Sequence, residues 1–147
     1  MIPPDKLVVL DTVILVELAR GKKAGTLIDA RYKLRARSEK PLICVVTAGE
    51  ILALARIWKW GSDKLATLDA LLREVVVVDI HIQKVLEKCS EIKAYAKDSG
   101  LAIGDNDTWI AATTSVADAV LLTSDRDFDP LHGRFISREF VDPESLR

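Results

Sequence analysis

The sequence predicts an α/β fold in which a central, mainly parallel β-sheet lies between two layers of helices. Short runs of apolar and β-branched residues alternate along the chain with longer helical segments, which is the order of βα units. The runs are almost continuously apolar, as expected of strands that helices cover on both faces. Right-handed crossovers between such strands produce a three-layer α/β/α sandwich.

Apolar runs predict four strands, at about Leu7–Leu10, Leu42–Val46, Val75–Asp79 and Ala119–Thr123. Each run is rich in valine, isoleucine or leucine and is too short for a helix. A short segment near Arg134–Ser137 is a candidate for an additional edge strand.

The segments between the strands predict helices, with Gly61, Gly100 and Gly104 as stop signals. No internal repeat interrupts this alternation. The predicted helices are Thr12–Ala19, Gly25–Ser38, Thr47–Trp58, Ser62–Arg73, Ile80–Lys97 and Asp105–Val116.

Length and composition are those of one globular domain spanning residues 1–147, since the chain has 147 residues and is 49% hydrophobic. Cys44 and Cys89 lie far apart without metal or redox spacing, so we expect two reduced core cysteines. The N-terminus lacks a signal-peptide pattern, and Val75–Val78 is too short to cross a bilayer. We therefore expect a cytoplasmic protein without a membrane segment.

Charge is unevenly distributed, although the formal net charge is only −1. This total excludes binding to nucleic acid by bulk positive charge. However, residues 20–40 contain eight basic residues against two acidic ones, whereas residues 101–147 contain four against nine. The average conceals a basic region and an acidic one.

Four acidic residues occupy positions that the predicted topology brings together. Asp11 follows the first strand and Asp125 the fourth, while Glu50 and Asp107 lie in the first turns of helices. The carboxyl ends of parallel strands and the amino ends of crossover helices share one sheet edge, where ligands of such folds bind. We expect the four carboxylates to converge there.

Converging carboxylates raise one another's pKa unless a cation neutralises them. A site with oxygen ligands and no nearby histidine or cysteine suits Mg²⁺ or Mn²⁺ better than Zn²⁺. The pattern therefore indicates metal-assisted hydrolysis of phosphodiester bonds.

Simpler structural roles remain open for the same residues. Thr47 and Glu50 fit a capping box at a helix start. Asp105 suits an N-cap. Asp107 could stabilise the helix through a favourable interaction with the helix dipole, although it lies on the same helix face as a stripe of apolar residues. Asp125 could instead begin a turn.

The motifs around these acids resemble those of PIN-domain ribonucleases, and most closely those of the VapC toxins of toxin–antitoxin pairs. The resemblance covers essentially the whole chain. Its most specific part is the Gly-x-x-Asp-x-x-Ile-Ala-Ala block followed by Thr-Ser-Asp-x-x-Phe. The motifs are Leu10-Asp11-Thr12, Thr47-Ala48-Gly49-Glu50-Ile51, Gly104-Asp105-Asn106-Asp107 with Ile110-Ala111-Ala112, and Thr123-Ser124-Asp125-Arg126-Asp127-Phe128.

The resemblance implies a hydrolase, a Mg²⁺- or Mn²⁺-dependent endoribonuclease that is the toxin of a type II toxin–antitoxin pair. It implies an RNA substrate such as tRNA, a VapB-like antitoxin and a homodimer. By motif position, the catalytic and metal-binding residues are Asp11, Glu50, Asp107 and Asp125. Accessory candidates are Thr12, Asp105, Ser124 and Asp127, whereas Val13 replaces a residue that is often small and polar in the family.

The basic region is a candidate RNA contact. Arg20, Lys22 and Lys23, together with the basic stretch Arg31–Arg37, are expected to flank the active edge and guide the RNA backbone by charge. The simpler interpretation of that stretch is a solvated helix.

Two other functions remain as alternatives. One is an aspartyl phosphotransfer domain in which Asp11 is phosphorylated, although a second acid in an Asp-x-Asp pattern is missing. The other is a catalytically inactive PIN-like domain that only binds RNA or protein. Glycine-rich nucleotide-binding loops are absent from the sequence.

Overall fold

A five-stranded, wholly parallel sheet forms the centre of the protein in the computed structural model, which describes residues 1–147. Its strand order is β3-β2-β1-β4-β5, so the first strand lies at the centre. The predicted α/β class is confirmed. The strands are β1 (Val8–Leu10), β2 (Leu42–Cys44), β3 (Val76–Val78), β4 (Val120–Thr123) and β5 (Ser137–Phe140).

Helices cover both faces of this sheet, and none is long and apolar enough to cross a membrane. Two short 3₁₀ segments, Arg126–Leu131 and Pro143–Leu146, flank β5 in the chain. The helices are α1 (Thr12–Arg20), α2 (Lys23–Tyr32), α3 (Val45–Ile57), α4 (Ser62–Arg73), α5 (Gln83–Asp98) and α6 (Asp105–Val116).

The sheet separates two apolar cores because successive strand residues point to opposite faces. In β1, Val8 and Leu10 pack into the core under α1, α2, α3 and α4, whereas Val9 packs into the core under α5 and α6. Leu121 and Leu122 divide between the same two cores in β4. The central strands are thus covered on both faces, as their apolar sequence predicts.

The third strand departs from that expectation. Val76 and Val77 are 45% and 44% exposed, because β3 lies at an edge of the sheet. The additional edge strand also differs from its predicted position. It begins at Ser137, after a turn in which Gly133 adopts a φ of 83°.

Helix α2 ends at Tyr32, six residues before its predicted end at Ser38. Lys33 adopts the left-handed conformation, and the backbone N–H groups of Lys33 and Leu34 both donate to the Asp29 carbonyl. This turn buries Leu34, which is 3% exposed. Tertiary burial of one leucine therefore overrides the local helical pattern.

Candidate active site

Four acidic side chains meet at the carboxyl edge of the sheet, as the sequence predicts. Asp11 directly follows β1 and Asp125 follows the neighbouring strand β4. Asp107 lies in the first turn of α6, and Glu50 lies in α3. Both helices begin at this edge, and charge interactions couple Asp107 to each of the other three carboxylates.

Asp127 joins this cluster through a tight turn. Its backbone N–H donates to Asp125 Oδ1 at 2.8 Å, so the chain folds back after β4. As a result, carboxylate oxygens of Asp107, Asp125 and Asp127 lie within 4.8 Å of one another. Three oxygens at this spacing can serve as ligands of one cation.

Asp11 is the most rigidly held of the acids and is only 4% exposed. Its Oδ1 accepts the Thr12 backbone N–H at 2.7 Å, and its Oδ2 accepts the Thr123 hydroxyl at 2.6 Å. The Thr123 hydroxyl oxygen in turn accepts the Asp125 N–H at 2.9 Å. One buried hydroxyl thereby ties the ends of β1 and β4 together.

Glu50 is connected to the first strand through Thr12, whose hydroxyl donates to Glu50 Oε1 at 2.9 Å. The capping-box interpretation of Glu50 is wrong. The N-cap of α3 is Cys44, and Thr47 lies inside the helix, because the helix begins two residues earlier than predicted. Glu50 therefore faces α1 and does not cap its own helix.

The pKa values record how strongly these carboxylates are crowded. The pKa of Asp107 is raised to about 6, first by burial and then by the charges of Asp11, Asp125, Asp127 and Glu50. Burial also raises the pKa of Asp11, although hydrogen bonds from Thr123 and Thr12 oppose it. Every charge that shifts the pKa of these two groups belongs to a carboxylate. The atoms that the cluster can offer to a metal ion are therefore all carboxylate oxygens. A hard divalent cation fits this set.

Two accessory candidates take no part in this network. Asp105 pairs with Lys93 of α5 at 3.2 Å, and its side chain is 83% exposed. Ser124 enters none of the hydrogen bonds around Asp11 and Asp125. Its neighbour Thr123 makes them instead, because Leu10 pairs with Leu122 and the next residues in register are Asp11 and Thr123. That register is the signal that would have identified Thr123.

Helix α1 begins beside the cluster and runs away from it, ending at Arg20. Lys22 and Lys23 lie just beyond that end, at the start of α2. At 1.5 Å per residue, Arg20 is roughly 12 Å along the axis from Thr12. The Arg20 guanidinium lies over the Trp58 ring, 5.0 Å from its centroid.

Arg35 and Arg37 of the basic stretch Arg31–Arg37 lie at the opposite edge of the sheet, so the expectation that the stretch flanks the acids is wrong for these two residues. Arg37 donates to the carbonyls of Pro3 and Lys6, which precede β1. Arg35 forms an ion pair with Glu74, which precedes β3. Because α2 ends early, these arginines fasten loops at the amino ends of the strands.

Residues 8–132 match the family model of the PIN domain. The chain belongs to the PIN-domain family. No curated protein sequence matches it significantly.

Solved structures share the fold of this PIN domain at low sequence identity. A chain of VapBC2 from Rickettsia felis, bound to a DNA fragment from its promoter, has 21% identity and a TM-score of 0.78, covering 92% of this chain and 99% of that one. DNA-bound VapBC from Salmonella typhimurium has 18% identity and a TM-score of 0.74, with 92% and 98% covered. VapBC-5 from Mycobacterium tuberculosis has 22% identity and a TM-score of 0.62, with 92% and 98% covered. Family membership and the carboxylate cluster together identify the chain as a nuclease.

Asp107→Asn should stabilise the metal-free PIN domain at neutral pH. The pKa of Asp107 rises from 3.8 to about 6 on folding, so the folded state binds more protons between these values. The free energy of unfolding of the wild type therefore falls as pH rises from about 4 to about 6. We expect the variant to gain about 1 kcal/mol at pH 7 and almost nothing at pH 4, since partial exposure screens the effect. Urea unfolding in EDTA at both pH values measures this, and an equal gain at both would contradict it.

Thr123→Val should destabilise the PIN domain at pH 7 by about 1–3 kcal/mol, because it leaves the buried oxygen Asp11 Oδ2 without its hydrogen-bond donor while the Thr12 N–H still bonds Oδ1. The variant should also raise the pKa of Asp11 further, so the loss should shrink at acidic pH. The control is Ser124→Ala, for which we expect a change within about 0.5 kcal/mol. Urea titrations of both variants check the difference, and equal effects would refute the role of the Thr123 hydroxyl.

Proposed function

We propose that this PIN domain is a Mg²⁺- or Mn²⁺-dependent endoribonuclease and the toxin component of a type II toxin–antitoxin pair. The supporting observation is the convergence of Asp107, Asp125 and Asp127 within 4.8 Å, beside the buried Asp11. The carboxylates of this cluster repel one another and offer only oxygen ligands, and they lie at the edge where parallel sheets bind ligands. Such a cluster suits a divalent cation.

The metal-holding residues in this proposal are Asp11, Asp107 and Asp125, with Glu50 and Asp127 as further oxygen donors. When bound, Mg²⁺ or Mn²⁺ supplies Lewis-acid activation of water and stabilises charge on the leaving oxygen of the phosphodiester. The amino ends of α1, α3 and α6 lie at the same edge and add positive potential for a phosphate.

The side chains of the cluster divide the remaining work between them. Asp11 is fixed by two hydrogen bonds and cannot rotate without losing one of them. Glu50 is fixed at one oxygen by Thr12, and the carboxylate lone pairs that this bond leaves free can orient a water molecule for attack. The pKa of Asp107 is raised by burial and by the neighbouring carboxylates, so its ionisation responds to positive charge placed in the cluster.

The aspartyl phosphotransfer alternative requires Asp11 as a nucleophile. Both Asp11 oxygens accept hydrogen bonds, and the side chain is 4% exposed. Each oxygen keeps a second lone pair for a small cation, but a carboxylate this deeply buried leaves little room for the in-line approach of a bulky phosphoryl donor. The geometry therefore favours hydrolysis at the cluster over transfer to Asp11.

A VapB-like antitoxin is the proposed partner, since VapBC complexes share the fold. Exposed apolar side chains on α1 and α3 provide a surface for it: Val13, Leu52, Ile57 and Trp58 are 43–68% exposed.

A second exposed apolar set, Val76 and Val77 on β3, supports association of two copies into a homodimer. The proposed site of action is the cytoplasm, on RNA such as tRNA.

Asp107→Asn should lower the rate of Mn²⁺-dependent RNA cleavage by about 100-fold or more, because it removes a charged oxygen donor from the cluster. Asp105→Asn is the matched control, since Asp105 lies two residues away on α6 but pairs with Lys93 outside the cluster. Cleavage of a total tRNA preparation with and without EDTA checks both variants. Equal rates in Asp107→Asn and wild type would refute the proposal.

Replacing Lys22 and Lys23 together by alanine should weaken RNA binding without changing the rate of the cleavage step. Both lysines are exposed at the start of α2, where they can contact the RNA backbone. The slope of log affinity against log salt should become less steep by about 1.4, as expected for two lost contacts to a single strand. Lys84→Ala on α5 is the control. An unchanged salt slope in the double variant would place the RNA elsewhere.

A further inference from the structure

Thr47 carries a buried hydroxyl that has no hydrogen-bond partner. Its side chain is completely buried, and Thr47 Oγ1 is the only buried side-chain polar atom of the protein in this condition. Such a group destabilises a fold, and valine would have the same shape without the penalty. A hydroxyl retained here calls for an explanation in terms of what it can bind.

Other helical threonines show what Thr47 does not do. Five of them donate their hydroxyl to the carbonyl four residues earlier; these are Thr26, Thr67, Thr108, Thr113 and Thr114. For Thr47 the residue four positions earlier is Ile43, which belongs to β2 and not to α3. The other exception is Thr12 at the start of α1, and its hydroxyl donates to Glu50.

Thr47 is placed to reach the same carboxylate. Thr47 and Glu50 are three positions apart in α3, so they lie on one face of the helix about 5–6 Å apart at Cβ. Side chains in a helix lean toward its amino end, which carries Glu50 over the turn that contains Thr47. Thr12 occupies only one Glu50 oxygen, Oε1.

We propose that Thr47 is a positioning residue for Glu50, its hydroxyl donating to the carboxylate oxygen that Thr12 leaves free when a divalent cation loads the cluster. The proposal rests on the proposed function of the cluster as a metal-dependent site. Two threonines from different helices then hold one carboxylate from opposite sides. The unmade hydrogen bond of the metal-free protein is completed on loading, which couples Thr47 to cation affinity.

The test compares Thr47→Val with Thr47→Ser. We expect Thr47→Val to melt at the same temperature as the metal-free wild type or higher, yet to bind Mn²⁺ about tenfold more weakly, the size expected for a lost hydrogen bond to a charged group. Thr47→Ser keeps the hydroxyl and should retain wild-type affinity. Isothermal titration with Mn²⁺ and melting in EDTA provide the two measurements, and neither depends on cleavage.

Thr113→Val is the control, since it removes a buried helical hydroxyl that already has a carbonyl partner in α6. Its Mn²⁺ affinity should equal that of the wild type. Unchanged affinity in Thr47→Val would overturn the inference, as would equal losses of affinity in the valine and serine variants, which would indicate packing. A wild type that binds Mn²⁺ without cleaving RNA would refute the nuclease proposal alone, whereas a wild type that binds no Mn²⁺ would overturn both.

Discussion

Repulsion between partly buried carboxylates is the constraint around which the rest of this structure is organised. Asp11 and Asp107 lose hydration at the sheet edge, and the only charges acting on them come from other carboxylates. Each such group reduces the stability of the metal-free fold at neutral pH. A protein that keeps several of them together trades stability for a binding site, as functional sites commonly do.

Threonine hydroxyls, and not basic side chains, hold the carboxylates of the cluster in place. Thr123 joins Asp11 to the backbone of Asp125, and Thr12 joins Glu50 to the start of α1. A hydroxyl can position a carboxylate without neutralising it, which leaves the negative charge available to a metal ion. A lysine or arginine in the same place would have stabilised the fold and competed with the cation.

Much of the fold follows from local sequence. Helices α4 and α6 begin and end at the predicted residues, and a glycine, Gly61 or Gly104, is the N-cap of each. Convergence of the acids followed from parallel topology alone. The early end of α2 was missed because burial of Leu34 is a tertiary effect, and the exposure of β3 was missed because strand order cannot be derived from apolar runs.

The roles of single side chains were harder to predict. Thr123 depends on the register between β1 and β4, and Asp127 depends on a turn that brings its carboxylate back toward Asp107. Neither is encoded in residue spacing. Arg35 and Arg37 were assigned to the wrong edge because charge composition carries no information about where a helix ends.

A divalent cation that loads the carboxylate cluster has to displace the proton that Asp107 holds at mildly acidic pH. Isothermal titration calorimetry with Mn²⁺, in two buffers of different ionisation enthalpy, counts the protons released on binding. A pKa of about 6 for Asp107 predicts that a proton is released from roughly half of the molecules near pH 6 and from almost none at pH 8. Mn²⁺ binding without proton release near pH 6, or no binding at either pH, would contradict the account.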